Sequence, residues 1–465
     1  MPAFQPDRLA EWARGTWTSR PSGALTGFSA DSRRIGAGEC FVALRTDRRD
    51  GHDFLRSAME AGARAAIVSR ADPSVSLPQL VVEDPLAALQ AIARAHRLAF
   101  GGRVVGISGS CGKTSTKELL ALLLGGQEGG VLSTEGNLNN HLGVPLTLTR
   151  IDPVRHRFAV VEAGISAEGD MDSLAAMIEP DVAIITLVAE AHLKDLGSLE
   201  GVAREKAKLP RAVRAAGMAV FPRQCADLPA FGELGVDRMI LEPADVIRPA
   251  VPPKDVVYFT VTQREETTAI AIAYGPPPPL VFTLRRVSPG MAQNVALAIC
   301  SALWLGVSPA TIQERIGGWG PAHWRGEVLR DGGRLLYVDC YNANPASMRD
   351  ALANFRDLAS AAGPSLYLLG CMEELGPEAP AYHRGVGRSL TLRPGDLAVL
   401  VGSEAASLRD GLLEAGAEPD QVRVISDAAQ AAPMVAGWTG SVFVKGSRKY
   451  RLETALEGAA AEAAH

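Results

Sequence analysis

Short apolar runs open the chain. Up to about Arg97, segments such as 40–44 and 65–68 are bounded by Gly, Asp and Pro, the punctuation of turns between strands, and predict a small α/β unit. The pattern restarts after Gly101 and Gly102. Residues 103–108 form a compact, partly β-branched run that passes through a glycine-rich loop into a Leu-rich helical stretch from Thr114. Further apolar strands at 158–162, 182–186 and 218–221 alternate with helical stretches, the pattern of a mainly parallel sheet covered on both faces. Residues 257–284 read instead as several short strands interrupted by the proline run 276–279, which predicts an antiparallel extension of the same domain. The apolar stretch 294–307 is too short to span a membrane and predicts a buried helix that closes this domain.

A third α/β pattern follows Gly317 and Gly318, with strands expected at 335–339, 366–369, 397–401, 422–425 and 442–444. The reading is therefore α/β with three domains: a small N-terminal one at 1–98, a central one with a mainly parallel sheet at 99–318, and a Rossmann-like one at 319–465. No internal repeat is visible, and the Ala-rich tail is expected to fray.

Composition narrows the function classes. A chain of 465 residues exceeds what one core organises, and 47% hydrophobic with 21% charged residues is ordinary for a globular protein. The formal net charge is -5 and basic tracts are short, so no electrostatic footprint for nucleic acid or an anionic membrane is present. The first residues lack an apolar signal-peptide core, and no run reaches the roughly 18 apolar residues that cross a bilayer; a cytoplasmic protein is expected. Six scattered cysteines without CxxC spacing suggest buried thiols rather than a zinc site or disulfides.

The strongest chemical signal is the segment GISGSCGKTS at 106–115, lying between a strand and a helix. Successive backbone N–H groups and the helix N-terminus can surround phosphate oxygens there, Lys113 adds a positive charge, and the Thr114 hydroxyl can reach Mg²⁺. The loop departs from the usual GxxxxGK[ST], with Ile107 where the first glycine would stand. Gly106, Gly109 and Gly112 are spaced three apart, which disfavours a GxGxxG dinucleotide loop.

The shortened GSCGKTS loop resembles that of the Mur ligase family, and other segments similar to the family's motifs follow in order. TEGNLNNHLGVP at 134–145 is similar to a segment of the branch that adds D-alanyl-D-alanine; Glu162 lies in an E-x-G sequence; His192 follows the next expected strand; GSLEGVAREK ends on Lys206; Arg325 stands in WRGE; and DCYNANP spans 339–345. Taken singly, several of these have plainer readings: an Asn/Gly cluster is usually a loop, a strand-end Glu a solvated group, a lone His structural, and Asn344 before Pro345 a turn.

The resemblance implies an ATP-dependent amide ligase joining D-alanyl-D-alanine to UDP-N-acetylmuramoyl-tripeptide in peptidoglycan precursor synthesis, through an acyl phosphate. It implies ATP contacts from Gly109, Ser110, Cys111, Gly112, Lys113, Thr114 and Ser115, with Asn294 on the adenine side and Asp339 and Asn342 on the nucleotide. Two Mg²⁺ ions are implied, held by Thr114, Glu162, His192 and a carbamylated Lys206, with Arg325 completing the phosphate clamp after domain closure. Substrate contacts are implied for Ser32 and Arg33 on the uridine nucleotide, for Asn137, Asn139, Asn140 and Asn344, and for Lys445, Ser447 and Arg448 near the dipeptide, beside a segment holding Cys371 and His383. A monomer is expected.

Four departures stand against the family pattern: Leu187 where Asn is usual, Gly290 for a His, Cys371 for an Asp, and Ala207-Lys208 for Gly-Glu. Competing readings are another Mur-type ligase (diamino-acid-adding or folylpolyglutamate synthetase-like), which the GNLNN and YNANP segments disfavour, and a nucleotide switch or transport ATPase needing only the phosphate loop.

Overall fold

In the computed structural model, residues 2–244, 253–275, 277–331, 334–359 and 363–456 are described. Among them the strands form three sheets of five, nine and six strands, each with its own helices.

The first sheet, from the N-terminal part, is parallel apart from the edge strand Thr16–Trp17, which pairs antiparallel with Gln79–Val81. Its central strand Ala65–Val68 is buried at every position. A continuous apolar run is what a strand covered on both faces requires. The helix Pro85–Leu98 packs on it and leads into the second sheet.

The second sheet is parallel through strands Val131–Ser133, Phe158–Glu162, Arg103–Ser108, Val182–Ile185, Met218–Pro222, Asp237–Pro243 and Val256–Gln263, in that spatial order. Thr267–Ile272 and Leu280–Arg285 then continue it antiparallel. The expected antiparallel extension is present, although its first strand pairs parallel with Asp237–Pro243, which the sequence pattern had not revealed. Prolines 277–279 lie between strands rather than within one; Pro276 is outside the described residues, as is the tail 457–465.

Helix starts are written into the chain as a polar residue followed by proline. Asp84-Pro85, Ser288-Pro289, Ser308-Pro309 and Asn344-Pro345 each place a side-chain acceptor at the N-cap and proline in the first turn. The cap satisfies an orphan N–H, and proline lacks the N–H that would otherwise be unpaired. This moves the helix expected from 294 back to Pro289–Trp304, ten of whose residues are buried between sheet and neighbouring helices.

The third sheet has the order Glu327–Asp331, Arg334–Asp339, Ser441–Lys445, Ser365–Gly370, Leu397–Val401, Val422–Ile425. All neighbours are parallel except the first pair. From Arg334–Asp339 the strands proceed in one direction across the sheet to Val422–Ile425, and the chain then returns to insert Ser441–Lys445 between Arg334–Asp339 and Ser365–Gly370. No helix among the described residues is long and apolar enough to cross a membrane.

Candidate active site

The phosphate loop is fixed by contacts with its neighbouring strand. Thr186 Oγ1 donates to Cys111 O at 2.5 Å, Ser110 N donates to Leu187 O at 2.8 Å, and Ser110 Oγ donates to Ala189 O at 2.8 Å. A Cβ on Gly109 would lie 1.8 Å from Thr186 Oγ1, and one on Gly112, where φ is +80°, would lie 2.2 Å from Asn294 Nδ2. Neither position accepts a side chain. Gly112 caps the helix Lys113–Leu123 without a side-chain acceptor, so its first N–H groups point free into the cavity, an arrangement that attracts anions. Lys113 Nζ donates back to Gly109 O at 2.7 Å. Burial pushes the Lys113 amine below its usual range, with Glu162 opposing that shift.

Glu162 ends its strand 1% exposed. Its Oε1 accepts from Asn139 Nδ2 at 2.8 Å, whereas Oε2 is buried and has no hydrogen-bond partner. Thr134 Oγ1 accepts from Glu162 N at 3.0 Å, and Thr134 O accepts from the buried Lys117 Nζ at 2.8 Å. Lys117 is a positioning contribution that the motifs did not reveal; its spacing of four from Lys113 was the available signal.

The third sheet closes this region from the other side. Asn344 Nδ2 donates to Ser110 O at 3.2 Å while its Oδ1 caps the following helix at Ser347 N. The Arg325 guanidinium lies 3.9 Å from the centroid of the Tyr341 ring. Lys445, 1% exposed, donates to Asp339 Oδ2 at 2.6 Å and to Asn342 O at 3.3 Å.

Between the two sheets lies a cavity of about 440 Å³. The loop residues Ser110 to Ser115, together with Asn137, Asn139, Glu162 and Asn294, line one side. Arg325, Asp339, Asn342, Asn344 and Lys445 line the other. Residues that the motifs did not single out also face it, including Thr186, Gln293, Tyr337, Tyr341 and Asp350. Tyr341 lay inside the DCYNANP segment, where its aromatic ring was the overlooked signal.

Other expected site residues lie elsewhere. Asn140 Oδ1 accepts from Gly143 N at 2.8 Å and Leu142 N at 3.2 Å, holding the start of the helix Gly143–Leu148. Arg33 pairs with Asp31 Oδ2 at 2.8 Å on the N-terminal unit, and that contact holds the Asp31 carboxyl down to about 2; Ser32 sits between them, partly exposed. Arg448 pairs with Glu453 and lies over the Trp324 ring at 4.9 Å, and Ser447 Oγ is buried without a partner.

His192 and Lys206 do not line the cavity either. His192 Nδ1 is 2.5 Å from Glu374 Oε2, close in distance though not aligned as a hydrogen bond, and Lys194 N donates to Glu374 O at 3.2 Å. A carboxylate from the third sheet's unit, remote in sequence, thus lies beside the imidazole that the resemblance assigned to the metal. Lys206 is 1% exposed, and burial, then the charge of Lys113, pushes its amine well below the usual range. Lys208, one of the departures, pairs with Asp172 at 2.7 Å and with Glu205. No group of three His, Cys, Asp or Glu side chains among the described residues is placed to hold a metal by itself.

Three family descriptions match the chain: "Mur ligase family, catalytic domain" over 24–97, "Mur ligase middle domain" over 107–232, and "Mur ligase, glutamate ligase domain" over 324–448. The chain is 30% identical over 457 residues to the UDP-N-acetylmuramoyl-tripeptide–D-alanyl-D-alanine ligase of Bacillus subtilis (strain 168), covering 96% of each. It is 32% identical over 390 residues to the protein of the same name from Escherichia coli (strain K12), covering 83% of each. A crystal structure of MurF from Acinetobacter baumannii superposes with a TM-score of 0.86 at 28% identity, covering 98% of this chain and 99% of that one. MurF ligase from Thermotoga maritima in complex with ADP gives 0.78 at 26%, covering 94% and 97%.

Proposed function

The chain belongs to the Mur ligase family, and from that premise we propose that the cavity between its second and third sheets is the seat of ligation. The chain is an ATP-dependent, ADP-forming ligase that joins D-alanyl-D-alanine to UDP-N-acetylmuramoyl-tripeptide in peptidoglycan synthesis. One observation carries the assignment of the site: the phosphate loop and Arg325 face the same cavity although they belong to different sheets. The domains proposed are 1–98, 99–318 and 319–465, acting as a cytoplasmic monomer.

In this reading the tripeptide carboxylate attacks the γ-phosphorus of ATP, forming an acyl phosphate as ADP leaves. The dipeptide amine then attacks the acyl carbon, and phosphate leaves as the amide forms. The free N–H groups at the start of Lys113–Leu123 and the Lys113 ammonium neutralise the phosphates, and Arg325 adds its charge from the third sheet's side. Little covalent work falls to the protein; alignment and exclusion of water from the acyl phosphate are its part.

The buried, unpartnered Oε2 of Glu162 fits a hard cation, with the Thr114 hydroxyl lining the same cavity. Mg²⁺ keeps several waters and phosphate oxygens in its shell, so two protein ligands suffice. When bound it supplies charge neutralisation of the phosphate oxygens. Lys206 is proposed to be carbamylated: burial favours the neutral amine, the nucleophile that carbon dioxide requires, and loss of a proton then leaves an anionic carbamate.

Phosphate release from Mg-ATP in the presence of UDP-N-acetylmuramoyl-tripeptide, with and without D-alanyl-D-alanine, tests the reading, with Lys113→Ala as control. Release that needs both substrates, with a product heavier by the dipeptide, is expected. Turnover indifferent to both would remove the ligase reading.

A further inference from the structure

Two helices converge at one end of the cavity. Pro289–Trp304 presents Asn294 to Gly112 of the phosphate loop, and Gly290, four residues earlier, lies on the same helix face about 6 Å further along the axis. Opposite it, Pro345–Leu358 starts at Asn344, which is tied to Ser110 O, and carries Asp350 over Gly290. Gly290 N donates to Asp350 Oδ1 at 2.9 Å, and a Cβ at 290 would lie 2.9 Å from Asp350 Cγ and Oδ2. Asp350 therefore fills the space that a side chain at 290, such as the family's histidine, would take. No hydrogen bond among the described residues engages its Oδ2, and the residue lines the cavity.

Apolar residues share this cavity with Asp350. Met291, Pro321 and Ala346 line the same cavity. Apolar walls beside one fixed acceptor suit a flat, uncharged heteroaromatic ring that offers a donor at its edge. An ionised carboxylate accepts hydrogen bonds and cannot donate them.

We propose that Asp350 determines the nucleobase: Gly290 N–H holds Oδ1, and Oδ2 accepts from the exocyclic amine of adenine while repelling the oxo group that guanine carries at that position. The inference rests on the nucleotide reading of the cavity and adds the residue that selects the base. A hydrogen bond to a charged group, set against an acceptor facing an acceptor, discriminates on the order of ten- to a hundredfold.

Calorimetric titration of the full chain with Mg-ADP and Mg-GDP tests this without turnover. Wild type should prefer ADP. Asp350→Asn should narrow the ADP-to-GDP ratio at least tenfold, partly by tighter GDP binding, because a carboxamide can turn its NH₂ toward an oxo group. Asp350→Ala should weaken ADP without strengthening GDP. If Asp350→Asn weakens both equally, or changes neither, Asp350 only latches the helices and the proposal is overturned while the nucleotide reading stands. If wild type binds neither nucleotide, the nucleotide reading itself falls and takes the proposal with it.

Discussion

Arg325 stacks on Tyr341, with its guanidinium carbon 3.9 Å from the ring centroid, and both residues face the cavity. Stacking restricts a long side chain before any phosphate arrives, so part of the ordering cost is met within the third sheet's unit. A cation–π contact contributes about 0.5–2 kcal/mol. Tyr341→Ala should lower kcat/KM roughly 2- to 30-fold, and Tyr341→Phe should stay near wild type. Arg325→Lys keeps the charge without the planar fork and should lose more than Tyr341→Ala. Phosphate-release kinetics on the three variants decide the order; equal activity of Tyr341→Ala and wild type would mean that the stack positions nothing.

Asn139 governs how the Glu162 carboxylate faces the cavity. Its amide holds Oε1 at 2.8 Å and leaves Oε2 without a partner. Asn139→Ala frees the carboxylate to turn, and the Mg²⁺ concentration for half-maximal turnover should rise several-fold while ATP binding at saturating Mg²⁺ changes less. Asn139→Asp places a second carboxylate against the first and should raise the requirement further. An unchanged Mg²⁺ titration in both variants would detach Glu162 from the metal.

Gly112→Ala meets two obstacles, a φ of +80° and the Asn294 amide 2.2 Å from the new methyl. The left-handed conformation costs an L-residue roughly 1–2 kcal/mol. The variant should lose measurable ADP binding while its unfolding temperature falls by only a few degrees. Adding Asn294→Ala removes the clash but leaves the φ strain, so the double variant should recover part of the binding if Asn294's contact with the loop matters more than its contact with the nucleotide. A single variant that binds ADP normally would show that the loop relaxes without cost.

Local signals were the legible ones. Phe158–Glu162, Leu397–Val401 and Val422–Ile425 fall where the apolar pattern put them, and the phosphate loop lies between its strand and helix as expected. These elements depend on neighbours a few residues away, which the sequence displays directly. Asp237–Pro243 and Glu327–Asp331 went unseen, since their mixed polar and apolar residues carry no clear alternation. The site's cross-sheet pairs were also hidden. Glu374 beside His192 and Asp350 on Gly290 join residues from separate units, and nothing in a run of residues reveals which surfaces will meet. Asn344 shows both regimes: Asn-Pro signalled a local turn, which proves to be a helix N-cap, whereas its bond to Ser110 O had no local signal.

Lys206 gives the pH test. Burial, then the charge of Lys113, lowers its amine well below the usual range, and none of the hydrogen bonds or ion pairs among the described residues engages its Nζ. In the unfolded chain the same amine titrates near about 10.4. Between the depressed folded value and that unfolded value, the unfolded state binds more protons, so this group's cost to stability is full below the window and fades as pH rises through it. Lys206→Met removes the amine while keeping an unbranched side chain that fills much of the same space. In buffer stripped of carbon dioxide, the variant should unfold at a higher temperature than wild type at pH 7, and the gap should close toward pH 10. Ligation should fall steeply in the variant, and bicarbonate should raise the activity of wild type alone. Equal unfolding temperatures at pH 7 would mean that the amine keeps its charge solvated or paired, which would remove the physical basis for carbamylation at this position.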